Sequence, residues 1–108
     1  MYARVTELVG LSGADADRHV QHFEDEILPR AEATPGMNGG LVLMDRDTGR
    51  ALVITLWEDE ETLTDSREEM NALRELAFQR LNLSTPAIVR EYEVGVARLE
   101  RAVDPIRA

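Results

Sequence analysis

Four side chains have the chemistry to act on a small aromatic molecule: Trp57, Tyr92, Arg90 and His19. Trp57 is the only tryptophan, and it either stacks on a ligand in a pocket or packs its large ring in the core or a dimer interface. Tyr92 and Arg90 share one side of a predicted strand, where they can orient a phenol or stabilise an enolate, because arginine donors favour developing negative charge. The alternative is an exposed tyrosine on an edge strand beside a solvated or salt-bridged arginine.

The two histidines, His19 and His22, lie on a predicted helix. If the apolar stripe of that helix is centred near Ile27, His19 lies about 80° and His22 about 140° from the centre. We therefore expect His22 to face water. His19 either borders a pocket as a general base or, the interpretation we favour, is a surface histidine. No third ligand can be identified beside the pair, so we expect no metal site.

Composition narrows the classes of protein to which the chain can belong. The 108 residues carry 21 acidic and 12 basic side chains, a formal net charge of −9, and every basic residue is an arginine. Such a surface repels nucleic-acid backbones and anionic membranes, so we expect neither as a partner. The start of the chain has no long apolar stretch, so it predicts neither a signal peptide nor a membrane span, and the expected location is cytoplasmic.

Known cofactor and catalytic signatures are missing from the sequence. There is no cysteine, which excludes thiolate nucleophiles and cysteine-ligated metals. There is also no Walker motif, no GxSxG elbow and no dinucleotide fingerprint. We therefore expect no bound cofactor.

The segment 51–57 is predicted to be a central strand that positions Trp57. Its alternate residues are apolar on both sides, with Leu52, Ile54 and Leu56 on one and Ala51, Val53, Thr55 and Trp57 on the other. A strand with one wet face would alternate apolar with polar residues. The pattern therefore predicts a sheet that is covered on both faces.

The other elements follow from periodicity, capping residues and turn residues. We predict a strand over 2–9, a helix over about 14–33 capped by Ser12 with Asp15, a strand over 41–44, and an edge strand over 87–97. Pro29 either kinks the last turn of the first helix or ends that helix near Ile27. The residues 34–40 are predicted to form a turn-rich connector, and the triplet Asp47–Gly49 a hairpin turn.

Two helices are predicted between the third and fourth strands. Asp59 is a candidate N-cap for a short helix, and Ser66 with Glu69 offers a second capping box for a longer helix that ends near Asn82. In this region one stripe is apolar and should be buried: Leu63, Met70, Leu73, Ala77 and Leu81.

The resulting order, β-α-β-β-α-β, predicts an α+β, ferredoxin-like fold over residues 1–98, followed by a C-terminal tail over 99–108. Right-handed crossovers place both helices on one face of a four-stranded antiparallel sheet. The apolar second face then needs a partner, and the simplest is a second copy in a homodimer. The alternative is a monomer with scattered exposed aliphatic residues.

The strand ending in Leu56-Trp57-Glu58 and the acidic helix start Glu58–Leu63, within this element order, resemble the dimeric α/β-barrel superfamily. The strongest similarity is to antibiotic biosynthesis monooxygenase-like (ABM) domains, and it covers roughly residues 2–98. The resemblance implies a homodimer whose sheets face one another, with a pocket in each subunit between sheet and helices. Some members are cofactor-independent monooxygenases acting on polycyclic phenols, others degrade haem, and many have no assigned activity.

Residue by residue, only the tryptophan of these families is matched. The quinone-forming monooxygenases have an asparagine four residues before it, where this chain has Val53. The haem-degrading members have a histidine about ten residues after it and an asparagine in the first strand, where this chain has Arg67 and Thr6. Haem degradation is therefore not expected. Two hypotheses remain: a cofactor-independent monooxygenase acting on a small aromatic, polyketide-like substrate, or a non-catalytic homodimer that binds a small apolar ligand.

Overall fold

The computed structural model describes residues 1–11, 13–81, 83 and 85–98. Its elements, in chain order, are β1 (Tyr2–Leu8), α1 (Gly13–His22), a π-helical segment (Phe23–Ile27), α2 (Leu28–Glu32), β2 (Met37–Asp45), β3 (Arg50–Trp57), α3 (Glu60–Asp65), α4 (Arg67–Leu81) and β4 (Ile88–Glu93). The predicted cap at Ser12, the end of the longer helix near Asn82 and the tail 99–108 lie outside the described residues. The domain boundary at residue 98 stays a prediction.

The four strands form one antiparallel sheet in the order β2-β3-β1-β4, with the helices on one face. This is the ferredoxin-like arrangement predicted from the sequence, and β4 is an edge strand as expected. None of the helices in the described part of the chain is long and apolar enough to span a membrane.

Strand pairing determines which side chains face the helices. Directly opposed residues in antiparallel strands point to the same face, so the pairs Arg4–Thr55 and Thr6–Val53 mark the helix side. The opposite side is here called the open face, and its residues are Ala3, Val5, Glu7, Leu41, Leu43, Leu52, Ile54, Leu56, Ile88, Arg90 and Tyr92.

The first helix continues past Pro29 and ends at Glu32. Before the proline the helix widens, and the Leu28 amide donates to the Phe23 carbonyl, five residues back. Pro29 then lies in the first turn of α2, where the missing amide of proline is tolerated. The wide turn therefore accommodates the proline without ending the helix, and the prediction that the helix reaches this region is confirmed.

The predicted connector over 34–40 is wrong in its second half, because β2 begins at Met37. Met37 pairs with Trp57 and Gly40 with Thr55, with an irregularity between Met37 and Gly39. The glycines favoured a turn, but pairing with β3 overrides that local preference. Gly40 also lies close to the neighbouring strand, since a Cβ there would be 3.2 Å from the Ile54 carbonyl oxygen.

The turn and cap predictions can be checked at three places. Gly49 has φ +71° in the β2–β3 hairpin, as the glycine there predicted. Asp59 caps α3, because its carboxylate accepts from the Thr62 amide at 2.8 Å. Ser66 lies directly before α4, where the second cap was predicted. Its hydroxyl donates to the Leu63 carbonyl at 2.7 Å while accepting from Arg4 Nη1 at 3.1 Å, and the capping box with Glu69 stays a prediction.

Trp57 packs in the core between the sheet and the helices. Its side chain is fully buried in a cluster with Ala31, Leu63, Met70 and Leu73. Its indole Nε1 donates to Thr55 Oγ1 at 2.9 Å. Of the three sequence-based alternatives for this residue, core packing is the one observed.

We expect Thr55→Val to destabilise the protein by about 1–3 kcal/mol, because it leaves the buried indole N–H without an acceptor. Thr55→Ser is the matched control: it keeps the hydroxyl and removes one methyl group, which corresponds to about 0.8 kcal/mol. Urea unfolding followed by tryptophan fluorescence measures both changes. Equal stability of Thr55→Val and the wild type would contradict the assigned hydrogen bond.

Candidate functional site

A cavity of about 60 Å³ lies between the helix side of the sheet and the helices. Most of its wall is apolar, and its polar lining residues are Arg4, Thr6, His19, Thr55 and Arg74. At roughly 10–15 Å³ for each water, the volume holds about four water molecules. As it stands the cavity admits only a small chemical group, and a larger ligand requires side chains at its edge to move.

His19 is the central titratable residue of this cavity. Its side chain is 1% exposed, and no group in the described residues hydrogen-bonds its Nδ1. Burial, and after it the neighbouring His22, lowers the pKa of His19 to about 4. The imidazole is therefore neutral at pH 7 and offers an unpartnered nitrogen in an apolar space.

The favoured prediction that His19 is a surface histidine is wrong, and so is the prediction that His22 faces water. The His22 side chain is 8% exposed, and its Nε2 is buried without a partner among the described residues. The reason is the neighbouring helix α4, whose Arg80 bonds Glu26, one turn beyond His22. This helix therefore covers a side of the first helix that the helical wheel assigned to solvent. An isolated helical wheel does not include such a neighbour.

Arg4 forms the most extensive polar network at the site. Its side chain is 3% exposed, and Nη2 donates to the Leu63 carbonyl at 2.8 Å and to the Glu91 carboxylate at 3.0 Å. Nη1 donates to Ser66 Oγ, and the guanidinium carbon lies 5.7 Å from the centre of the Trp57 ring. Burial lowers the pKa of Arg4, and Glu91 opposes that shift. This guanidinium is already satisfied by protein groups.

Glu91 belongs to the same network from β4. Its carboxylate accepts from both Arg4 and Arg67, and the hydrogen bond from Arg67 is the main reason its pKa is lowered. Its position on the helix side means that its neighbours Arg90 and Tyr92 point the other way.

Arg90 and Tyr92 lie on the open face, across the sheet from the cavity. Arg90 is paired with Val5 and Tyr92 with Ala3, and the Tyr92 side chain is 49% exposed. The structure therefore does not bring them together with His19, and a catalytic role for Arg90 and Tyr92 stays a prediction. The sequence showed that they share a side of the strand, but the pairing with β1 decides which side faces the helices.

The cavity contains residues that the sequence did not single out: Arg4, Arg74, Thr55 and Phe78. The sequence feature that could have indicated them is their position: Arg74 follows Leu73, which was predicted to be buried, and Arg4 lies on the same side of its strand as Thr6. Among the described residues, no group of three or more His, Cys, Asp or Glu side chains could hold a metal ion.

Comparison with known proteins identifies relatives of the chain in sequence. No family model matches the chain. Two uncharacterized proteins of Mycobacterium tuberculosis strain H37Rv are 31% identical over 95 residues and 27% identical over 96. These matches cover 88% and 89% of this chain but 41% and 39% of the relatives, so the chain spans about two fifths of their length.

Solved structures with the same fold include a monooxygenase of Streptomyces coelicolor in complex with nanaomycin D. It is 16% identical, with a TM-score of 0.73 over 93% of this chain and 92% of that one. Another, named antibiotic biosynthesis monooxygenase, is 14% identical with a TM-score of 0.64 over 87% and 98%. A dimeric ferredoxin-like protein from an uncultured marine organism is 7% identical with a TM-score of 0.66 over 92% and 98%.

The chain therefore has the ferredoxin-like fold that these solved structures share, and the resemblance found in the sequence is confirmed at the level of the fold.

The buried neutral state of His19 predicts a pH-dependent stability. Between pH 6.5, the ordinary pKa, and about 4, the pKa in the folded chain, the unfolded chain binds a proton that the folded chain does not. The contribution of His19 to the free energy of unfolding is therefore complete above pH 6.5. It decreases as the pH falls, by roughly 3 kcal/mol in total.

His19→Leu should remove this component, while Gln21→Ala, an exposed change on the same helix, should keep it. Urea unfolding from neutral pH to about pH 4 measures the difference between the curves. Parallel curves for His19→Leu and the wild type would show that His19 titrates normally.

Proposed function

We propose that the protein is a cofactor-independent monooxygenase of the ABM type that acts on a small aromatic, polyketide-like substrate. The observation that carries this proposal is the unpartnered Nδ1 of neutral His19 in an apolar cavity. The fold similarity to a monooxygenase bound to nanaomycin D supports it, although that likeness by itself concerns the fold.

In this proposal His19 accepts a proton from a phenolic or anthrone-like substrate. A base with a pKa of about 4 is weak, so deprotonation requires that the resulting anion be stabilised. Arg74, which lines the same cavity, supplies a positive charge for that purpose. The electron-rich anion then reacts with O₂: the substrate CH₂ becomes C=O, and the second oxygen atom leaves as water.

The four residues first considered have different roles in this proposal. His19 contacts the substrate, whereas Trp57 supports the wall from the core, because Met70 and Leu73 belong both to its cluster and to the cavity lining. Tyr92 and Arg90 have no role in the cavity.

A second candidate function is non-catalytic binding of a small apolar ligand. Val53 lines the cavity at the position where the quinone-forming monooxygenases have an asparagine, so that polar partner is replaced by an apolar contact. Neither candidate requires a cofactor, and a cytoplasmic location stays a prediction.

Aerobic incubation of the pure protein with several anthrones, followed by quinone absorbance, tests the oxygenase. We expect a rate above buffer that falls by about 100-fold or more in His19→Gln, the usual effect of losing a general base. His22→Gln, a histidine change outside the cavity lining, should retain most of the rate. No rate above buffer with any anthrone, together with unchanged ligand bound in the cavity, would favour the binding function instead.

We also propose that two copies associate through the open face. The helices leave this face uncovered, and four of its large apolar side chains are between 43% and 49% exposed: Leu41, Leu43, Ile88 and Tyr92. Large apolar side chains exposed together on one sheet face are typical of an interface between chains. In such a dimer Tyr92 and Arg90 would lie between the two sheets.

The double change Leu41→Glu and Leu43→Glu should convert the dimer to a monomer, because it places like charges opposite one another on the twofold interface. Light scattering at micromolar concentration measures the mass. Thr64→Glu, an added charge on exposed α3, should leave the dimer intact. A monomeric wild type under these conditions would rule out the association.

A further inference from the structure

Two residues of α4, Arg74 and Phe78, belong both to the cavity and to the protein surface. Both line the cavity, and both also line a surface groove of about 340 Å³. They are four residues apart on one helix, so their side chains are neighbours on the same face. The cavity and the groove therefore adjoin at these two side chains.

The groove runs between α4 and the segment that leads into β4, where Pro86, Ala87 and Val89 form its other wall. The cavity of about 60 Å³ is smaller than the roughly 300–1,000 Å³ of small-molecule sites, whereas cavity and groove together reach that range. A rotation of Phe78 would join the two spaces. The joined space is large enough for a ligand whose aromatic ring lies partly in the cavity and partly in the groove.

Arg74 differs in its partner from most of the arginines that the structure describes. Six others form ion pairs with carboxylates: Arg4, Arg18, Arg46, Arg50, Arg67 and Arg80. Within the described residues the Arg74 guanidinium instead bonds a neutral amide, from Nη1 to Asn71 Oδ1 at 2.6 Å. Its charge is therefore not neutralised by a direct ion pair.

The charged groups around Arg74 also leave its positive charge without a direct carboxylate partner. Burial lowers its pKa, and the positive charge of Arg4 lowers it further, while Glu91 offsets part of the shift. Glu91 itself is bonded to Arg4 and Arg67. Glu75 lines the groove but not the cavity, whose described lining has two arginines, Arg4 and Arg74, and no carboxylate.

We infer that the groove is the entrance to the cavity and that Arg74 binds the anionic group of an aromatic acid whose ring passes Phe78. This inference rests on the proposed function, because it assigns the substrate class and the entry route of the same cavity. It makes Arg74 the residue that selects an anionic ligand over a neutral one of the same shape.

Two ligands of nearly equal shape test the charge selection: naphthalene-2-carboxylate and naphthalene-2-carboxamide. Binding is followed by the fluorescence of Trp57, the single tryptophan, whose core cluster includes the cavity residues Met70 and Leu73. We expect the carboxylate to bind about tenfold more tightly than the amide. Arg74→Met should remove this preference by weakening the carboxylate alone, and Arg74→Lys should keep part of it. Arg30→Met, which removes the same charge from an exposed site on α2, should leave both affinities unchanged.

The entry route is tested by association rates in stopped-flow experiments. Phe78→Ala should increase the association rate of the carboxylate, and Phe78→Leu does the same to a smaller degree and serves if the alanine variant does not fold. An unchanged rate in the folded variants would overturn the route.

Equal affinities for the two ligands, or a preference that survives in Arg74→Met, would overturn the charge selection while leaving a ligand-binding cavity. Failure of both ligands to bind would overturn this inference together with the binding step of the proposed function.

Discussion

The buried guanidinium of Arg4 is the interaction on which the arrangement of this protein depends. From β1 it bonds the end of α3 through the Leu63 carbonyl, the α3–α4 junction through Ser66, and the edge strand β4 through Glu91. A buried charge with any of these partners removed would be destabilising, because desolvation is no longer compensated. One side chain therefore fixes the edge strand and the helix junction relative to the centre of the sheet.

The same requirement shapes the cavity. Arg4 lines it but has its donors occupied by protein groups, so the titratable or charged residues left to interact with a ligand are His19 and Arg74. Their states are complementary: burial keeps the imidazole neutral, while the guanidinium lacks a direct carboxylate partner. A neutral acceptor and a cation in one apolar space match a ligand with an acidic hydrogen or an anionic group, which is the chemistry shared by both proposals.

The two faces of the sheet carry different groups of residues. The helix side holds Trp57, the cavity and the Arg4 network, and the open face presents apolar side chains of β2 and β4. Because β-strand side chains alternate, Glu91 joins the network on one side while Tyr92 and Arg90 lie on the other. Tyr92 and Arg90 therefore do not line the cavity, although their residue types suit the chemistry.

Local sequence was enough to predict the element order, the strand parities, the hairpin at Gly49 and the cap at Asp59, because each depends on residues near one another in the chain. It also indicated two-sided apolar character in β3, from which the uncovered face follows. Packing between distant elements sets the extent of β2, where pairing overrides glycine preference, and the burial of His19 and His22, where a neighbouring helix covers the surface. It also makes Trp57 a core residue and brings Arg74 and Phe78 into the lining of both the cavity and a groove. These features arise between elements distant in sequence, and no local periodicity contains the register or the helix packing that creates them.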